Sequence, residues 1–538
     1  MSRTLAAPAQ PFNAASMATA TKVFAFASMC IGMFIALLDI QIVSASLRDI
    51  GGGLSAGTDE TAWVQTSYLI AEIIVIPLSG WLSRVFSTRW LFCASAVGFT
   101  VASLLCGVAW NIQSMIAFRA LQGFLGGSMI PMVFTTAFVF FTGKQRVIAA
   151  ATIGAVASLA PTLGPVIGGW ITDISSWHWL FYINLVPGIF VAVAVPMLVK
   201  IDQPELSLLK GADYISMVFL ALFLGCLEYT LEEGPRWNWF SDRTILTTAW
   251  ISGLAGLAFI GRTLHVANPI VDLRALKDRN FALGCFFSFV TGIGLFATIY
   301  LTPLFLGRVR GYGALDIGLA VFSTGVFQIM AIPLYAFLAN RIDLRWIMMT
   351  GLGLFALSMW DFSPITHDWG AKELMLPQAL RGIAQQLAVP PAVTLTLGGL
   401  APARLKHASG LFNLMRNLGG AIGIDLITTG FLTGVRVERA TGPVGPADRV
   451  PHVDGAGGAG GLRGDHGPGH ELLDPLLHVG RVLVPGAGVF LAVAGRHAGA
   501  PLLQGRQWQV ARRAGGQPVN CGSRVPPVEP GQFLLVER

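Results

Sequence analysis

Apolar residues fill the first 430 positions of the chain in long runs that are separated by short polar turns. Thirteen runs reach about twenty residues, enough for a helix to cross the hydrocarbon of a bilayer. We therefore predict spans at residues 23–47, 61–82, 90–110, 113–141, 147–172, 178–199, 212–231, 244–264, 281–306, 312–338, 345–365, 374–400 and 406–430. The pattern predicts an all-α integral membrane protein.

One pattern, an apolar run followed by a short basic turn and a second apolar run, occurs twice, 256 positions apart. Residues 76–92 read IPLSGWLSRVFSTRWLF, and residues 332–348 read IPLYAFLANRIDLRWIM. A weaker repeat pairs residues 120–123 (ALQG) with residues 379–382 (ALRG). Two similar halves in one membrane chain are the usual architecture of a secondary transporter, whose substrate path lies where the halves meet.

The repeat and the spans together predict the domain organisation. A cytoplasmic N-terminus covers residues 1–22 and a six-helix half covers residues 23–199. Two extra helices with their loops follow at residues 200–280. The second half covers residues 281–430, without an apolar run for its final helix, and a tail covers residues 431–538.

The composition excludes an ordinary soluble domain. Of the 538 residues, 54% are hydrophobic and 12% are charged, whereas globular domains carry about 25% charged residues. The net charge of +7 does not indicate nucleic-acid binding, because the basic residues lie in turns between the predicted spans. Their bias to one side follows the positive-inside rule and predicts a cytoplasmic N-terminus. The cysteine spacing predicts no disulfide framework, and we predict no metal and no cofactor.

The chain changes character after about residue 430. Roughly 30% of residues 431–538 are Gly or Pro, and Lys, Tyr and Ile are missing there, a composition typical of disorder. One interpretation is a natural flexible tail. The other is a change of reading frame near residues 425–435 that replaced a native loop and final helix. An apolar twenty-residue segment in another frame of the coding DNA would support the second interpretation.

A polar face follows the second predicted span. Thr61, Gln65, Tyr68, Glu72 and Ser79 are spaced by four, three, four and seven residues, which places them on one side of a helix. Such a face turns to water or to another helix and not to lipid. Desolvation favours the protonated form of a carboxylate, so Glu72 is a candidate for reversible proton binding. A static ion pair or an interhelical hydrogen bond is the alternative.

Two more ionisable residues lie inside predicted spans, where a charge costs about 2.5–3.5 kcal/mol on insertion scales. Asp39 in span one either exchanges protons or holds a neighbouring helix. Arg119 in span four keeps its charge and needs a partner, for which Glu72 and Asp39 are the candidates. A cation whose distance from an acid changes with conformation would couple proton binding to helix movement. We therefore predict that Asp39, Glu72 and Arg119 form the proton-coupling group.

Further polar residues inside the spans are candidates for the substrate path. They are Gln65, Tyr68, Gln122, Arg381, Asn413 and Arg416. For the three in the second half, a structural role is the alternative to substrate contact. Span five instead carries small residues and prolines in GAVASLAPTLGPVIGGW at residues 154–170. Small residues let helices approach and prolines weaken the helix locally, so this segment predicts a packing and bending device.

These motifs resemble the major facilitator superfamily, specifically its fourteen-span drug:proton antiporters of the EmrB/QacA type. LLDIQIVSAS at residues 37–46 resembles the acidic motif of span one, and GWLSRVFSTRW at residues 80–90 resembles the loop between spans two and three. FRALQGFLGG at residues 118–127 is similar to the arginine motif of span four, and APTLGPVIGG at residues 160–169 to the antiporter motif of span five. With WHWLFYINLVPG and NPIVDLRALKDRNFALGC, the resemblance covers residues 22–424.

The resemblance implies a major facilitator fold with two six-helix halves and two extra helices between them. It implies a permease of the inner membrane that exchanges protons for small hydrophobic compounds, and in Gram-negative cells a periplasmic adaptor and an outer-membrane channel as partners. Asp39 and Arg119 would then belong to proton coupling. The conformational motifs would comprise Gly80, Arg84, Arg89, Gly164, Pro165, Gly168 and Gly169.

This chain departs from that pattern in two places. Arg84 stands where the loop motif usually has an acidic residue, so we expect no latch based on that acid. No apolar run corresponds to the fourteenth span, which makes a non-functional truncated permease one alternative.

Proton-coupled efflux of hydrophobic or amphipathic compounds is the predicted function. Symport, or export of one small metabolite or aromatic acid, is the alternative, and the motif of span five favours antiport. The short loops hold no nucleophile–base pair and no metal cluster, so we predict that the protein is not an enzyme. The expected partners are small hydrophobic substrates, protons and the lipid bilayer.

Overall fold

The structure, a computed structural model, describes residues 17–441 apart from 267–268, 309 and 363–367. Most of the tail predicted at residues 431–538, with both interpretations of it, lies outside the described residues. The elements of the described chain are helices, fifteen of them α-helices. They are α1 Thr19–Ala45, α2 Leu47–Gly53, α3 Thr58–Val85, α4 Thr88–Gly107, α5 Ile112–Phe140, α6 Lys144–Ile174, α7 Trp179–Tyr182, α8 Leu185–Leu198, α9 Tyr214–Glu233, α10 Arg243–His265, α11 Arg279–Arg308, α12 Ala314–Ala339, α13 Leu344–Asp361, α14 Met375–Leu397 and α15 Pro402–Thr441.

Ten segments of the described chain are long and apolar enough to cross a membrane. They correspond to the first ten predicted spans, with α7 and α8 together forming one segment. The three remaining predicted spans coincide with α13, α14 and α15. α14 is less apolar because it carries Gln378, Arg381, Gln385 and Gln386, and all four are buried against other helices. α15 continues to Thr441, past residue 430 where we placed the change in composition.

Each half contains the same close contact between two of its helices, at positions that correspond in the sequence repeat. In the first half, a Cβ on Gly123 of α5 would come within 2.3 Å of the Tyr68 carbonyl oxygen of α3. In the second half, a Cβ on Gly382 of α14 would come within 2.3 Å of the Thr324 carbonyl oxygen of α12. Each glycine therefore sets the distance between two helices, as small residues do in membrane proteins. The predicted sequence repeat is also a structural repeat.

Both copies of the repeated turn start the next helix with a side-chain cap. Before α4, the Trp90 N–H donates to Ser87 Oγ at 3.3 Å, and Ser87 has a φ of 67°, where glycine is the favoured residue. Before α13, the Arg345 N–H donates to Asp343 Oδ1 at 2.9 Å. These caps satisfy backbone donors that the helix leaves unpaired, so one span can end and the next can begin within a few residues.

An exposed apolar face identifies the side of α10 that meets lipid. Leu246, Trp250, Leu254 and Leu257 share one side of this helix and are 40% to 72% exposed. A face of this kind is unfavourable in water but suits the hydrocarbon of a bilayer. The opposite side of α10 packs on α9, whose Phe223 carbonyl accepts a hydrogen bond from Ser252 Oγ at 2.9 Å. The two extra helices thus form a hairpin with one side in lipid.

Candidate functional site

A buried ion pair lies in the first half. Arg119 Nη1 of α5 and Asp39 Oδ2 of α1 are 2.5 Å apart, and both side chains are fully buried. Gln122 Nε2 and Asn184 Nδ2 donate to Asp39 Oδ1 at 3.1 and 2.7 Å. Of the two acids that we considered as partners for Arg119, Asp39 therefore makes the ion pair. These contacts join helices of the first half, while Arg119 Nη2 has no partner within the described chain. A proton-coupling role for Asp39 and Arg119 stays a prediction.

A backbone carbonyl and an aromatic ring also contact Arg119. Its Nε donates to the Val64 carbonyl oxygen at 3.2 Å, and its Nη1 also donates to Gln122 Oε1 at 2.8 Å. Its Cζ lies 4.2 Å from the centroid of the Tyr68 ring, within cation–π range. The Tyr68 hydroxyl in turn donates to the Ala36 carbonyl oxygen at 3.2 Å. The guanidinium therefore connects α1, α3 and α5.

Sequence reasoning missed Asn184, which precedes α8 and is 1% exposed. Besides its bond to Asp39, its Nδ2 donates to Ser103 Oγ of α4 at 3.0 Å. The available signal was a single amide within the apolar segment WHWLFYINLVPG. A side-chain amide in a membrane segment usually finds a hydrogen-bond partner on another helix, so Asn184 could have been included as a candidate.

Arg381 of α14, in the second half, has a different environment from Arg119. It is fully buried, and its Nη2 donates to Thr324 Oγ1 at 2.9 Å. Thr324 Oγ1 also donates to Gln378 Oε1 at 2.6 Å. Over the described part of the chain, no carboxylate pairs with Arg381, and its Nε and Nη1 have no partner. The repeat therefore preserves the helix packing of the two halves but not the ion pair.

A cavity lies between the two halves, and we refer to it as the central cavity. Its volume is about 100 Å³. Its walls come from α1, α3, α6, α9, α11, α14 and α15. Its polar lining residues are Gln41, Glu72, Ser158, Glu228, Glu232, Ser288, Thr291, Arg416 and Asn417. The other lining residues are apolar, and this combination suits an amphipathic small molecule.

Glu72 faces the central cavity from the middle of α3. It is 3% exposed, and its Cγ fits against α5 because residue 127 is glycine, where a Cβ would come within 2.8 Å of that atom. The charges of Arg416 and Arg119 act on it, but no side chain of the described chain donates a hydrogen bond to it. A buried carboxylate that reaches a cavity and is not fixed in an ion pair can take up and release a proton.

The residues predicted for the substrate path lie in different places. Arg416 lines the central cavity. The others are buried but are not among its lining residues: Gln65, Tyr68, Gln122, Arg381 and Asn413. Tyr68 and Gln122 instead support Arg119, and Asn413 Nδ2 donates to the Ser409 carbonyl oxygen at 2.9 Å within its own helix. A substrate role for these buried residues stays a prediction.

Sequence reasoning also missed Glu228 and Glu232, which line the central cavity from α9. Glu228 is 5% exposed. Glu228 lies at the outer end of predicted span 212–231 and Glu232 lies just beyond it, where acidic residues usually mark the boundary with water. The signal that was available is their spacing of four residues, which places both on one side of the helix.

The glycines of span five bring α6 close to α1. A Cβ on Gly164 would come within 2.2 Å of the Gln41 Cβ, and one on Gly168 within 2.8 Å of the Ile42 carbonyl oxygen. Pro165 lies inside α6, and Gly169 is buried beside Gly168. Since Gln41 lines the central cavity, this packing shapes one of its walls. The bending role predicted for the segment stays a prediction.

The loop motif joins the halves at the end of the molecule that we predict to be cytoplasmic. A Cβ on Gly80 of α3 would come within 2.6 Å of the Lys406 carbonyl oxygen of α15. Arg84 Nη1 is 3.2 Å from His407 Nε2. Lys406 Nζ donates to the Ser83 carbonyl oxygen at 3.0 Å. This end of the central cavity is therefore closed by direct contacts between α3 and α15.

Asp202, in the segment after α8, supplies a carboxylate at this end. It accepts a hydrogen bond from the Thr88 N–H at 3.0 Å and forms an ion pair with Lys406 Nζ. We call Ser83, Arg84, Asp202, Lys406 and His407 the cytoplasmic latch. An acid from another segment thus takes part in the closure although position 84 is arginine. Arg89, the remaining predicted motif residue, lies with its Cζ 4.9 Å from the centroid of the Trp90 ring.

We expect Lys406→Met to open the cytoplasmic end more often, because it removes an ion pair between partly buried side chains and a hydrogen bond to Ser83. Combined with Ala408→Cys, a position that is 1% exposed, it should speed labelling of the introduced thiol by a membrane-impermeant maleimide in everted vesicles. One charged hydrogen-bonded contact is worth about a tenfold change in rate. The exposed Lys210→Met, in the same thiol background, should leave the rate unchanged, and equal rates in both variants would contradict the latch.

Comparisons with known proteins agree with this architecture. The profile of the Major Facilitator Superfamily matches residues 29–424. The colistin resistance protein EmrB of Acinetobacter baumannii is 39% identical over 427 residues, which are 79% of this chain and 83% of that protein. The multidrug export protein EmrB of Escherichia coli is 31% identical over 406 residues, 75% of this chain and 78% of that protein. The crystal structure of the human organic anion transporter MFSD10 covers 87% of this chain and 99% of its own, with a TM-score of 0.55 and 12% identity, a likeness of fold alone.

Proposed function

Because the chain belongs to the major facilitator superfamily, we propose that it exports hydrophobic or amphipathic organic compounds through the central cavity in exchange for protons. It is a multi-pass transport protein of the inner membrane, and this family is not a class of enzymes. Export of several compounds is supported by two relatives, one named for multidrug export and one for colistin resistance.

The observation that carries the proposal is the position of Glu72. It is the buried acid that reaches the central cavity from the first half, opposite Arg416 of the second half, and its carboxylate is not fixed in an ion pair. Asp39, in contrast, is held by three side chains away from the cavity lining. We therefore assign the exchangeable proton to Glu72 and a supporting role to Asp39 and Arg119.

This assignment leads to a simple coupling mechanism. When Glu72 is ionised, its charge is balanced by Arg416 across the two halves. Uptake of a proton removes that charge, which weakens the attraction between the halves and favours the other conformation of the transporter. Since the ionised acid and its partner lie on different halves, the protonation state changes the relative stability of the conformations, as coupling requires.

Everted membrane vesicles that contain the full chain test this function. With an acidified lumen, addition of ethidium, a cationic dye, is expected to raise the lumenal pH as dye enters and protons leave, as reported by a quenched amine probe. Symport would lower the lumenal pH instead. An unchanged lumenal pH during dye uptake would contradict proton coupling. Association with a periplasmic adaptor and an outer-membrane channel stays a prediction that follows from the family resemblance.

A further inference from the structure

Helix α9, the first of the two extra helices, contacts both halves of the molecule. The rings of Tyr229 on α9 and Trp63 on α3 are stacked with centroids 5.4 Å apart. A Cβ on Gly225 would lie 3.3 Å from Ile74 Cδ1 of α3. α9 also packs on α15 of the second half. The extra helix is therefore part of the wall where the halves meet, and it is not merely a spacer between them.

The inner face of α9 carries two carboxylates into the central cavity. Glu228 and Glu232 are one helical turn apart, and both line the cavity. Glu228 is 5% exposed, and its Oε2 has no hydrogen-bond partner within the described chain. Glu233 behaves differently, because it accepts hydrogen bonds from Trp237 Nε1 at 3.1 Å and Arg236 Nη1 at 3.4 Å and does not line the cavity.

The charges that line the cavity do not balance. Glu72, Glu228 and Glu232 are three acids, and Arg416 is the single base among the lining residues. Asp425 of α15 adds a further acid close to Glu228 and Glu232. Buried carboxylates without a counter-charge are costly in a membrane segment and point to a ligand or to ion exchange. One of the acids serves proton exchange in the proposed function, which leaves the pair on α9 unassigned.

We propose that Glu228 and Glu232 of α9 form the subsite for the positively charged group of the substrate, a protonated amine or another organic cation. The apolar walls, which include Leu37, Ile40 and Phe412, then receive the hydrophobic part of the same molecule. This inference rests on the proposed function, since it takes the central cavity as the transport site. In this proposal α9 selects substrates by their charge, while Glu72 binds and releases the proton.

Two ions of the same shape and opposite charge test the subsite. Equilibrium dialysis of the purified full chain in detergent, corrected with micelle blanks, gives the affinity for tetraphenylphosphonium and for tetraphenylborate. We expect the wild-type chain to prefer the cation. In the double variant Glu228→Gln and Glu232→Gln, the dissociation constant of the cation should rise about tenfold or more, because a charge-assisted contact is lost. Binding of the anion should not weaken.

Matched variants separate this effect from damage to the fold. Glu233→Gln removes an acid from the same helix outside the cavity and should preserve the preference for the cation. The double variant Glu228→Asp and Glu232→Asp keeps both charges and should retain most of it. An unchanged preference in the double glutamine variant, or no preference in the wild-type chain, overturns the subsite.

Transport of the same cation distinguishes the subsite from the proposed function. If wild-type vesicles show no uptake driven by a pH gradient although the binding preference is present, the transport proposal fails and the cation subsite stands as a binding site. If the uptake is present but the double glutamine variant binds and transports the cation as the wild type does, the subsite alone fails.

Discussion

Replacing Arg119 with methionine is expected to lower the free energy of unfolding by about 3–5 kcal/mol, because the change leaves Asp39 as an unpaired charge in the interior of the first half. Asp39 is fully buried, and the ion pair is its shortest contact. The guanidinium also spans α1, α3 and α5 through the Val64 carbonyl and the Tyr68 ring, so its loss weakens three helices at once. Denaturant titration of the purified protein in detergent measures the change.

The second half provides the matched control for this prediction. Arg381→Met removes an equally buried arginine that donates to Thr324 Oγ1 and has no carboxylate partner in the described chain. The loss of that hydrogen bond should lower the free energy of unfolding by at most about 1.5–3 kcal/mol. Removal of an unpaired buried charge offsets part of this loss. The double variant Asp39→Asn and Arg119→Met should recover part of the stability. Equal destabilisation by the two arginine variants would show that Asp39 and Arg119 are not energetically coupled.

The apolar pattern predicted the helices because a membrane span has a required length and composition. The first ten predicted spans coincide with segments that can cross a membrane, and the glycines in the weaker repeat, Gly123 and Gly382, make equivalent contacts. The repeat also predicted which helices would be equivalent. The length, the apolar composition and the repeat can all be read directly from this one sequence.

The partners of the ionisable residues could be predicted only in part. Arg119 had to find an acid, and Asp39 was one of two candidates, but the choice depends on how α1, α3 and α5 pack. Asn184 completes the group from the start of α8, 145 residues after Asp39. Such contacts join distant parts of the sequence and leave no periodic signal in it.

The cavity was the least predictable part, because it depends on where the extra helices lie. A helix pair inserted between two halves can lie anywhere around them, and the periodicity of α9 is the same in each case. Tertiary contacts, such as those of Gly225 and Tyr229 with α3, place Glu228 and Glu232 at the cavity. The cytoplasmic latch was equally hard to predict, because Asp202 reaches Lys406 through tertiary packing.

Replacing Glu72 with glutamine is expected to abolish export that is driven by a pH gradient, because an amide of nearly the same shape cannot exchange the proton. In everted vesicles with an acidified lumen, the dye-dependent rise of lumenal pH should fall at least about tenfold, since the coupled step loses its titratable group. Exchange of labelled against unlabelled dye at equal pH on both sides needs no net proton movement and should persist. This second measurement separates lost coupling from lost binding.

An acid at the edge of the same helix is the control for this change. Glu60 lies in the first turn of α3, where its carboxylate accepts a hydrogen bond from the Gly57 N–H at 3.3 Å in an exposed position. Glu60→Gln should keep both proton-coupled export and exchange, because that carboxylate lies outside the cavity lining. Undiminished coupling in Glu72→Gln would exclude Glu72 as the proton site and move the assignment to Glu228 and Glu232, the other acids of the cavity. Loss of exchange together with coupling would instead assign Glu72 to substrate binding, because its carboxylate would then be needed even when no proton moves.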